Sequence, residues 1–260
     1  YETAIRTERA ATADAPITVQ AASGARPVIR PTGEDAVIAV GGQAAHLIFD
    51  GLTFEGATGE SSANIYIAGA ASDITFRHCV SRGSARQGFF SERTTARVRI
   101  DSCSFANNGG SGPDNQDHNL YVEGTGHRIV NNIITGARNG YGLQLYPATT
   151  DVVVSHNTIV GNADGIVLGD EERGSTHDIR ITNNIIAFNE RTGLSTYWGD
   201  GVAGTGNVAT ANVLFRNWGG NFDPALRGLR RSANVIADPN FTNRAKGDYS
   251  LAAGSAADGR

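Results

Sequence analysis

The stretches HRIVNNIITGA (127–137), VVVSHNTIVGN (152–162) and IRITNNIIAFN (179–189) repeat one pattern: an aliphatic residue, two variable residues, an asparagine, a variable residue and a second aliphatic residue. Three earlier segments, beginning at His46, Asp73 and Val98, keep the same spacing with other small or apolar residues at the asparagine position. Aligned on that position, one column 23 to 29 residues apart contains Leu52, Cys79, Cys103, Asn132, Asn157, Asn184 and Asn207. Internal repetition at this period is typical of a repeat architecture.

Each repeat also contains a second strand-like piece, such as NLYVEG (119–124) or GLQLYP (142–147). These runs alternate apolar and polar residues, are bounded by glycine and asparagine, and have no helical periodicity between them. We therefore predict an all-β fold, a single-stranded parallel β-helix (solenoid) of about eight coils. Equivalent residues of successive coils would then stack at the interstrand spacing of about 4.8 Å.

The asparagine column is expected to form an internal ladder, because a buried amide must find hydrogen-bond partners in the next coil and in the backbone of the bend. The same column holds Cys79 and Cys103, one coil apart, close enough for a disulfide. Stacked free thiols in a dry core are the alternative, since buried cysteine behaves as a small hydrophobic residue.

Composition narrows the class of protein. The chain has 260 residues, 33 of them glycine, and a net charge of −4, which argues against a general nucleic-acid-binding protein with a basic face. No apolar run approaches the roughly 20 residues that span a bilayer, so no membrane partner is expected. We predict one β-helix domain, 1–260, with an opening segment 1–30, a closing segment 238–260, and a monomeric or homo-oligomeric state.

The chain resembles right-handed parallel β-helix proteins, the group that includes pectate and alginate lyases and many bacterial carbohydrate-active enzymes. The opening APITVQAASGARPVIRP (15–31) is similar to the start of such helices, and DPNFTNRAKGDYSLAAGSAADG (238–259) to their closing pattern. The resemblance implies a right-handed helix and an extended polysaccharide as the partner. Because this fold carries many activities, the reaction must be argued from a site.

Strand alternation predicts two columns of side chains on the outside of the helix. If Leu120, Val122 and their equivalents face the core, the residues between them face solvent. The first column is then Tyr66, Phe90, Tyr121, Gln144, Val167 and Ser195, and the second is Glu92, Glu123, Tyr146, Gly169 and Tyr197. Together they form a polar and aromatic stripe along which a polymer could lie.

The longest repeat contains the insertion NNGGSGPDNQDH (107–118), which leads directly to Asp117 and His118. Loops on a rigid scaffold often carry function. His118 is either a catalytic group or a hydrogen-bonded histidine at a bend. The run Asp114 to Asp117 offers oxygen ligands for a calcium ion without a recognised calcium spacing, so turn formation is the alternative and no other cofactor is expected.

The resemblance and the stripe together indicate a polysaccharide lyase that cleaves a uronate-containing polymer by β-elimination. We expect Tyr121 to act as base, acid or both, His118 as its proton-transfer partner or as neutraliser, and Arg93 or Arg138 as the carboxylate clamp. The residues expected to bind substrate are Gln144, Tyr146, Tyr141, Glu123, Asp117, Phe90 and Glu92. The only lysine, Lys246, lies in the closing segment, so the lysine–arginine pair of several β-helix lyases is not present.

Three other functions remain open from the residues. A glycoside hydrolase would need two carboxylates at a defined separation, for which Glu92 with Glu123, or Asp164 with Asp170, are the candidates. A uronate C5-epimerase would use the same groups as a lyase. A non-catalytic carbohydrate-binding or surface-structural β-helix would need only the aromatic stripe. A polymeric substrate implies a secreted or cell-surface protein.

Overall fold

Three parallel β-sheets wind around one core in the computed structural model, which describes residues 1–59, 62–110, 116–171, 176–199 and 201–259. Each sheet has nine strands in this part of the chain, and successive strands go to the first, second and third sheet in turn. The prediction of a parallel β-helix is confirmed. No helix among the residues described has the length and apolar character needed to cross a membrane.

The first sheet carries the predicted outer stripe. Its strands are Ile5–Thr7, Ala36–Val40, Ala63–Ile67, Gln87–Ser91, Leu120–Val122, Tyr141–Leu145, Asp164–Asp170, Thr192–Trp198 and Gly220–Phe222. The second sheet is built from Ile17–Gln20, Ala45–Asp50, Ser72–Arg77, Arg99–Asp101, Arg128–Val130, Val153–Ser155, Arg180–Thr182, Asn207–Thr210 and Leu229–Ser232. The third contains Val28–Ile29, Thr53–Glu55, Val80–Arg82, Ser104–Ala106, Ile133–Thr135, Thr158–Val160, Ile185–Ala187, Val213–Phe215 and Val235–Ile236.

Each quoted repeat folds into two strands joined by a sharp bend. The residue just before the ladder position has a left-handed backbone, with φ of 59° at Asn131, 57° at His156 and 56° at Asn183. A single left-handed residue redirects the chain without a longer loop, and asparagine tolerates it better than most residues. The second and third sheets therefore meet at this bend.

The interior is packed with aliphatic side chains and a short stack of phenylalanines. Phe49 and Phe76 stack with ring centroids 5.0 Å apart, and Phe54 and Phe89 contact Phe76 edge-on. All four are buried. Burial of this apolar surface supplies most of the driving force for folding.

The asparagine ladder is confirmed and connects the coils. The side-chain oxygen of Asn157 accepts the backbone N–H of Asn132 at 2.9 Å, and its nitrogen donates to the carbonyl of Ile129 at 2.9 Å. Asn184 repeats both contacts one coil later, with the N–H of Asn157 and the carbonyl of Val154. Each amide thus satisfies the N–H of the ladder residue one coil earlier, which lies outside the strands, and adds a second hydrogen bond to a carbonyl of a second-sheet strand.

The assignment of Asn207 to this ladder is wrong. The next member is Asn212, whose oxygen accepts the N–H of Asn184 at 3.0 Å, followed by Asn234. Asn207 lies at a different bend, where it accepts the N–H of Ile179. The pattern hides Asn212 because Ala209 stands where the other repeats have a large aliphatic residue.

Another bend, between the third and first sheets, has a second ladder. Asn162 accepts from the N–H of Ala137, and Asn189 and Asn217 continue the series through their own amides. The two cysteines are free thiols and buried within the first ladder, where the sulfur of Cys103 accepts the N–H of Cys79 at 3.4 Å.

The closing segment folds back against the outside of the helix. Its antiparallel strands Phe241–Asn243 and Asp248–Leu251 flank a short 3-10 helix, Arg244–Lys246. Tyr249 hydrogen-bonds Thr135 of the third sheet at 3.3 Å, and the ring of Phe241 lies 6.5 Å from that of Phe188.

Replacing a ladder asparagine should destabilise the helix. In Asn184→Ala, the N–H of Asn157 loses its partner in a buried bend, and the carbonyl of Val154, a residue of a paired strand, loses an additional contact. We expect the free energy of unfolding to fall by about 1–3 kcal/mol, as one buried N–H becomes unsatisfied. Urea denaturation of this variant and of the half-buried Asn139→Ala control tests it; equal losses in both variants would contradict the role of the ladder.

Candidate functional site

The outward side chains of the first sheet lie in register. Phe90 pairs with Tyr66 on one side and Tyr121 on the other, and Tyr121 pairs with Gln144. The column continues through Val167 and Ser195, and Gly169 of the second column pairs with Tyr197. The structure thus places both predicted columns on one face.

Four rings form a continuous row, here called the aromatic row: Tyr66, Phe90, Tyr121 and Tyr146. Their centroids are 5.5, 4.9 and 6.3 Å apart in that order, with interplanar angles of 10° to 29°. Stacked rings of this kind attract one another beyond the area they bury. The row gives neighbouring coils a flat, partly apolar surface.

Tyr121 lies at the centre of the row with its hydroxyl free. No described residue hydrogen-bonds this oxygen. Burial and the nearby negative charge of Glu123 raise the pKa of Tyr121 well above its usual value of 10.0. At neutral pH the phenol is protonated and can donate its proton to a ligand.

One arginine and three carboxylates lie beside the row; we call Glu92, Glu123, Glu171 and Arg93 the carboxylate cluster. The guanidinium nitrogens of Arg93 lie 3.9 Å from Glu123 and 3.6 Å from Glu171. Glu92 is held separately, by the hydroxyl of Tyr66 and by a backbone N–H. One cation therefore serves two of the three carboxylates.

Glu123 binds its proton unusually tightly. Burial raises the pKa of this carboxyl group to about 7, Arg93 opposes the shift, and the charges of Glu171 and Glu92 add to it. Only 13% of the side chain is exposed. A carboxyl group with a pKa near neutrality is suited to giving and taking protons.

His118 is buried behind the row rather than presented to solvent. Its Nδ1 accepts the N–H of Tyr141 at 3.0 Å, and its ring stacks on that of Tyr141 with centroids 4.5 Å apart. Burial, above all, lowers the pKa of His118 to about 3, against the effect of a hydrogen bond with Gln144. The imidazole is neutral, and since Nδ1 is an acceptor, the other ring nitrogen carries the proton toward Gln144.

Asp117 is fully buried and ion-paired with Arg86. Its second oxygen has no partner among the residues described. The positive charge of Arg86 disfavours a calcium ion at Asp117, and no cluster of three metal-binding side chains occurs in the described ranges. Asp114 and Asn115 of the calcium hypothesis lie outside these ranges.

Arg191 and Asp164 lie beside Tyr141 on the same face. The sequence analysis did not predict that these three residues form one group. Arg191 lies 2.8 Å from Asp164 and 5.9 Å from the ring centroid of Tyr141. Asp164 also accepts the N–H of Thr192 at 2.9 Å. The sequence could have shown this group, because Tyr141 and Asp164 occupy equivalent positions in successive repeats. Arg138 is exposed in the preceding turn, without a charged partner in the part of the chain described.

The prediction that Asp164 and Asp170 form the carboxylate pair of a glycoside hydrolase is wrong. Both residues belong to one extended strand, Asp164–Asp170. Six residue steps in such a strand span about 20 Å, roughly twice the largest separation that glycoside hydrolysis uses. Glu92 and Glu123, by contrast, follow each other on adjacent coils.

Comparison with known proteins identifies the fold. Residues 113–228 match the family described as a right handed beta helix region. The pectate lyase Pel9A is similar in structure, with a TM-score of 0.68 and 13% identity over 97% of this chain and 76% of that enzyme. The periplasmic alginate epimerase AlgG is also similar in structure, with a TM-score of 0.50 and 13% identity; the match covers 77% of this chain and 62% of the AlgG chain. No curated protein matches by sequence. The chain therefore has the right-handed parallel β-helix fold.

The raised pKa of Glu123 predicts a pH-dependent stability effect. Below pH 4.5 the carboxyl group is protonated whether the chain is folded or not, and above about 7 the folded protein must bury a charge. Glu123→Gln should therefore leave stability unchanged near pH 4 and raise it by about 1–2 kcal/mol near pH 8, allowing for screening by solvent. Urea denaturation at both pH values tests it; an equal gain at both would contradict the raised pKa.

Proposed function

We propose that the protein is a polysaccharide lyase that cleaves a uronate-containing polymer by β-elimination on the first sheet. The supporting observation is the hydroxyl of Tyr121, which no described residue hydrogen-bonds, near the carboxyl group of Glu123, whose pKa is about 7. Arg93 lies next to both on the same face and supplies a cation. The aromatic row extends this position across neighbouring coils, as an extended polymer requires.

The elimination needs three groups. In the proposed reaction, the carboxylate of Glu123 removes the proton next to the uronate carboxylate, and Arg93 stabilises the negative charge that develops there. The electrons form a carbon–carbon double bond as the bond to the glycosidic oxygen breaks. Tyr121 gives its proton to that leaving oxygen, and the proton held by Glu123 restores the phenol through water.

His118 has a positioning role in this proposal. Its hydrogen bonds with the N–H of Tyr141 and with Gln144 fix the strand that pairs with Tyr121. Its ring also meets Tyr121 edge-on at 5.7 Å. A buried neutral imidazole with both nitrogens occupied orients the phenol better than it exchanges protons with substrate.

The structural neighbours are consistent with this chemistry. One is described as a pectate lyase and one as an alginate epimerase, and both polymers are built from uronates. Lysis and C5-epimerisation share the removal of the proton next to the carboxylate, so an epimerase would use the same residues. A polymeric substrate places the protein outside the cell or at its surface in this proposal.

A glycoside hydrolase is the second candidate, favoured by the pKa of Glu123. A carboxyl group protonated near neutrality is the general acid of such enzymes, and Glu92 or Glu171 would be the second carboxylate. The products decide between the two reactions, since only elimination leaves an unsaturated uronate end.

Removing the proposed acid or base should abolish elimination. Tyr121→Phe and Glu123→Gln are each expected to lower kcat by about 10²–10⁴-fold, the usual contribution of proton transfer. The measurement is the ultraviolet absorbance of unsaturated ends released from pectate, alginate and glucuronan. Tyr1→Phe, an exposed tyrosine outside both columns, is the control and should retain activity. New reducing ends without this absorbance would instead establish hydrolysis.

Glu171 is expected to compete with the substrate for Arg93. Its side chain is half exposed and lies 3.6 Å from the guanidinium, so a uronate carboxylate must displace it. Glu171→Gln should lower KM by about two- to fivefold with kcat little changed, as expected for an exposed ion pair. An increase in KM would contradict the assignment of Arg93 as the carboxylate clamp.

A further inference from the structure

A cavity of about 570 Å³ lies between the helix and its closing segment, outside the aromatic row and the carboxylate cluster. Its lining residues are Phe188, Arg216, Asn217, Trp218 and Arg244. Asn217 belongs to the second ladder, and its amide is engaged within the helix. The other four side chains can contact a ligand in the cavity, so their chemistry indicates what it binds.

Two of these residues occupy a backbone position that usually favours glycine. The residue before the ladder position at this corner is Gly136, which precedes Ala137, or Gly161, which precedes Asn162, with φ of 79° and 68°. Phe188 and Arg216 take the same place in later coils, with φ of 57° and 48°. Bulky residues in the left-handed region are strained, and such strain often accompanies function. At this corner, the two strained residues project the ring of Phe188 and the guanidinium of Arg216 into the cavity.

Both arginines are oriented by aromatic rings rather than by carboxylates. The guanidinium of Arg244 lies 4.1 Å from the ring centroid of Phe188, and that of Arg216 lies 5.2 Å from the ring of Phe215. Neither has an acidic partner within the described part of the chain. Stacking uses the flat face of a guanidinium and leaves its N–H edge free, and this edge matches a carboxylate.

Trp218 completes the site with a large exposed surface. Its side chain is 86% exposed, whereas Trp198, the other tryptophan, is buried. An indole in this position can pack against an apolar ring face, and its N–H can donate to a hydroxyl group.

We propose that this cavity is a second, non-catalytic site for an acidic oligosaccharide. Trp218 packs against a sugar ring, and Arg216 and Arg244 bind the carboxylate of that sugar. The class of ligand rests on the proposed function, since the same polymer would contact both sites. A second contact would hold the polymer on the helix between cleavage events.

The test follows tryptophan fluorescence during titration with uronate hexamers from pectate and alginate. The Tyr121→Phe protein is used so that the ligand is not cleaved, and cellohexaose serves as the neutral probe. The acidic hexamers are expected to change the tryptophan emission, whereas cellohexaose should leave it unchanged. The Trp218→Phe substitution should remove the change caused by the acidic hexamers. Isothermal titration calorimetry then gives Kd for each arginine variant.

Arg216→Gly and Arg244→Gln should each weaken binding by about tenfold or more, the effect of losing one charge-assisted contact. Glycine suits the left-handed position of Arg216, so Arg216→Gly should keep the thermal stability of the parent and separate lost binding from lost folding. Arg230→Gln, an exposed arginine of the second sheet, is the matched control and should bind normally.

Unchanged Kd in both arginine variants, or no response of Trp218 to any acidic hexamer, would overturn the inference. Polymer cleavage by the unsubstituted protein is measured separately. Cleavage without a Trp218 response refutes this second site alone. A Trp218 response without cleavage supports the second site and refutes the proposed lyase activity.

Discussion

The hydrogen bond between a buried asparagine amide and the backbone of the neighbouring coil is the constraint on which the rest of the structure depends. Each bend leaves an N–H that no strand pairs, and the amide of Asn157 or Asn184 satisfies it while also binding a carbonyl of a second-sheet strand. Because the amide contacts one specific position of the next coil, it also sets the register of the coils. A slip of one residue would turn every core side chain outward.

Register of this kind explains the properties of the candidate site. Stacked coils bring like residues close together, so the rings of Phe90 and Tyr121 stack and carboxylates of adjacent coils repel one another. Arg93 offsets that repulsion only in part, since it is shared between Glu123 and Glu171. Burial is the main cause of the raised pKa of Glu123, and the carboxylates that the repeat stacks nearby add to it.

The fold and the outward columns were predictable, because alternation and the repeat depend only on local sequence. Asn212 was missed because Ala209 weakens the repeat at one coil. Two features of the site depend instead on three-dimensional placement. His118 is buried because the bend before its strand turns it inward against Tyr141. The pKa of Glu123 is raised mainly by burial and further by Glu171, which a later coil brings beside Arg93. Neither burial nor charge crowding across coils can be read from spacing alone.

In the proposed function, a uronate polymer lies along the first sheet with its scissile bond at Tyr121. The most direct test is a crystal structure of the Glu123→Gln protein with a uronate hexamer bound. We expect the sugar chain to lie across the aromatic row, with the Tyr121 hydroxyl within about 3 Å of a glycosidic oxygen and a uronate carboxylate on Arg93. A hexamer bound on another face, or one whose glycosidic oxygens all lie beyond hydrogen-bond reach of Tyr121, would contradict it.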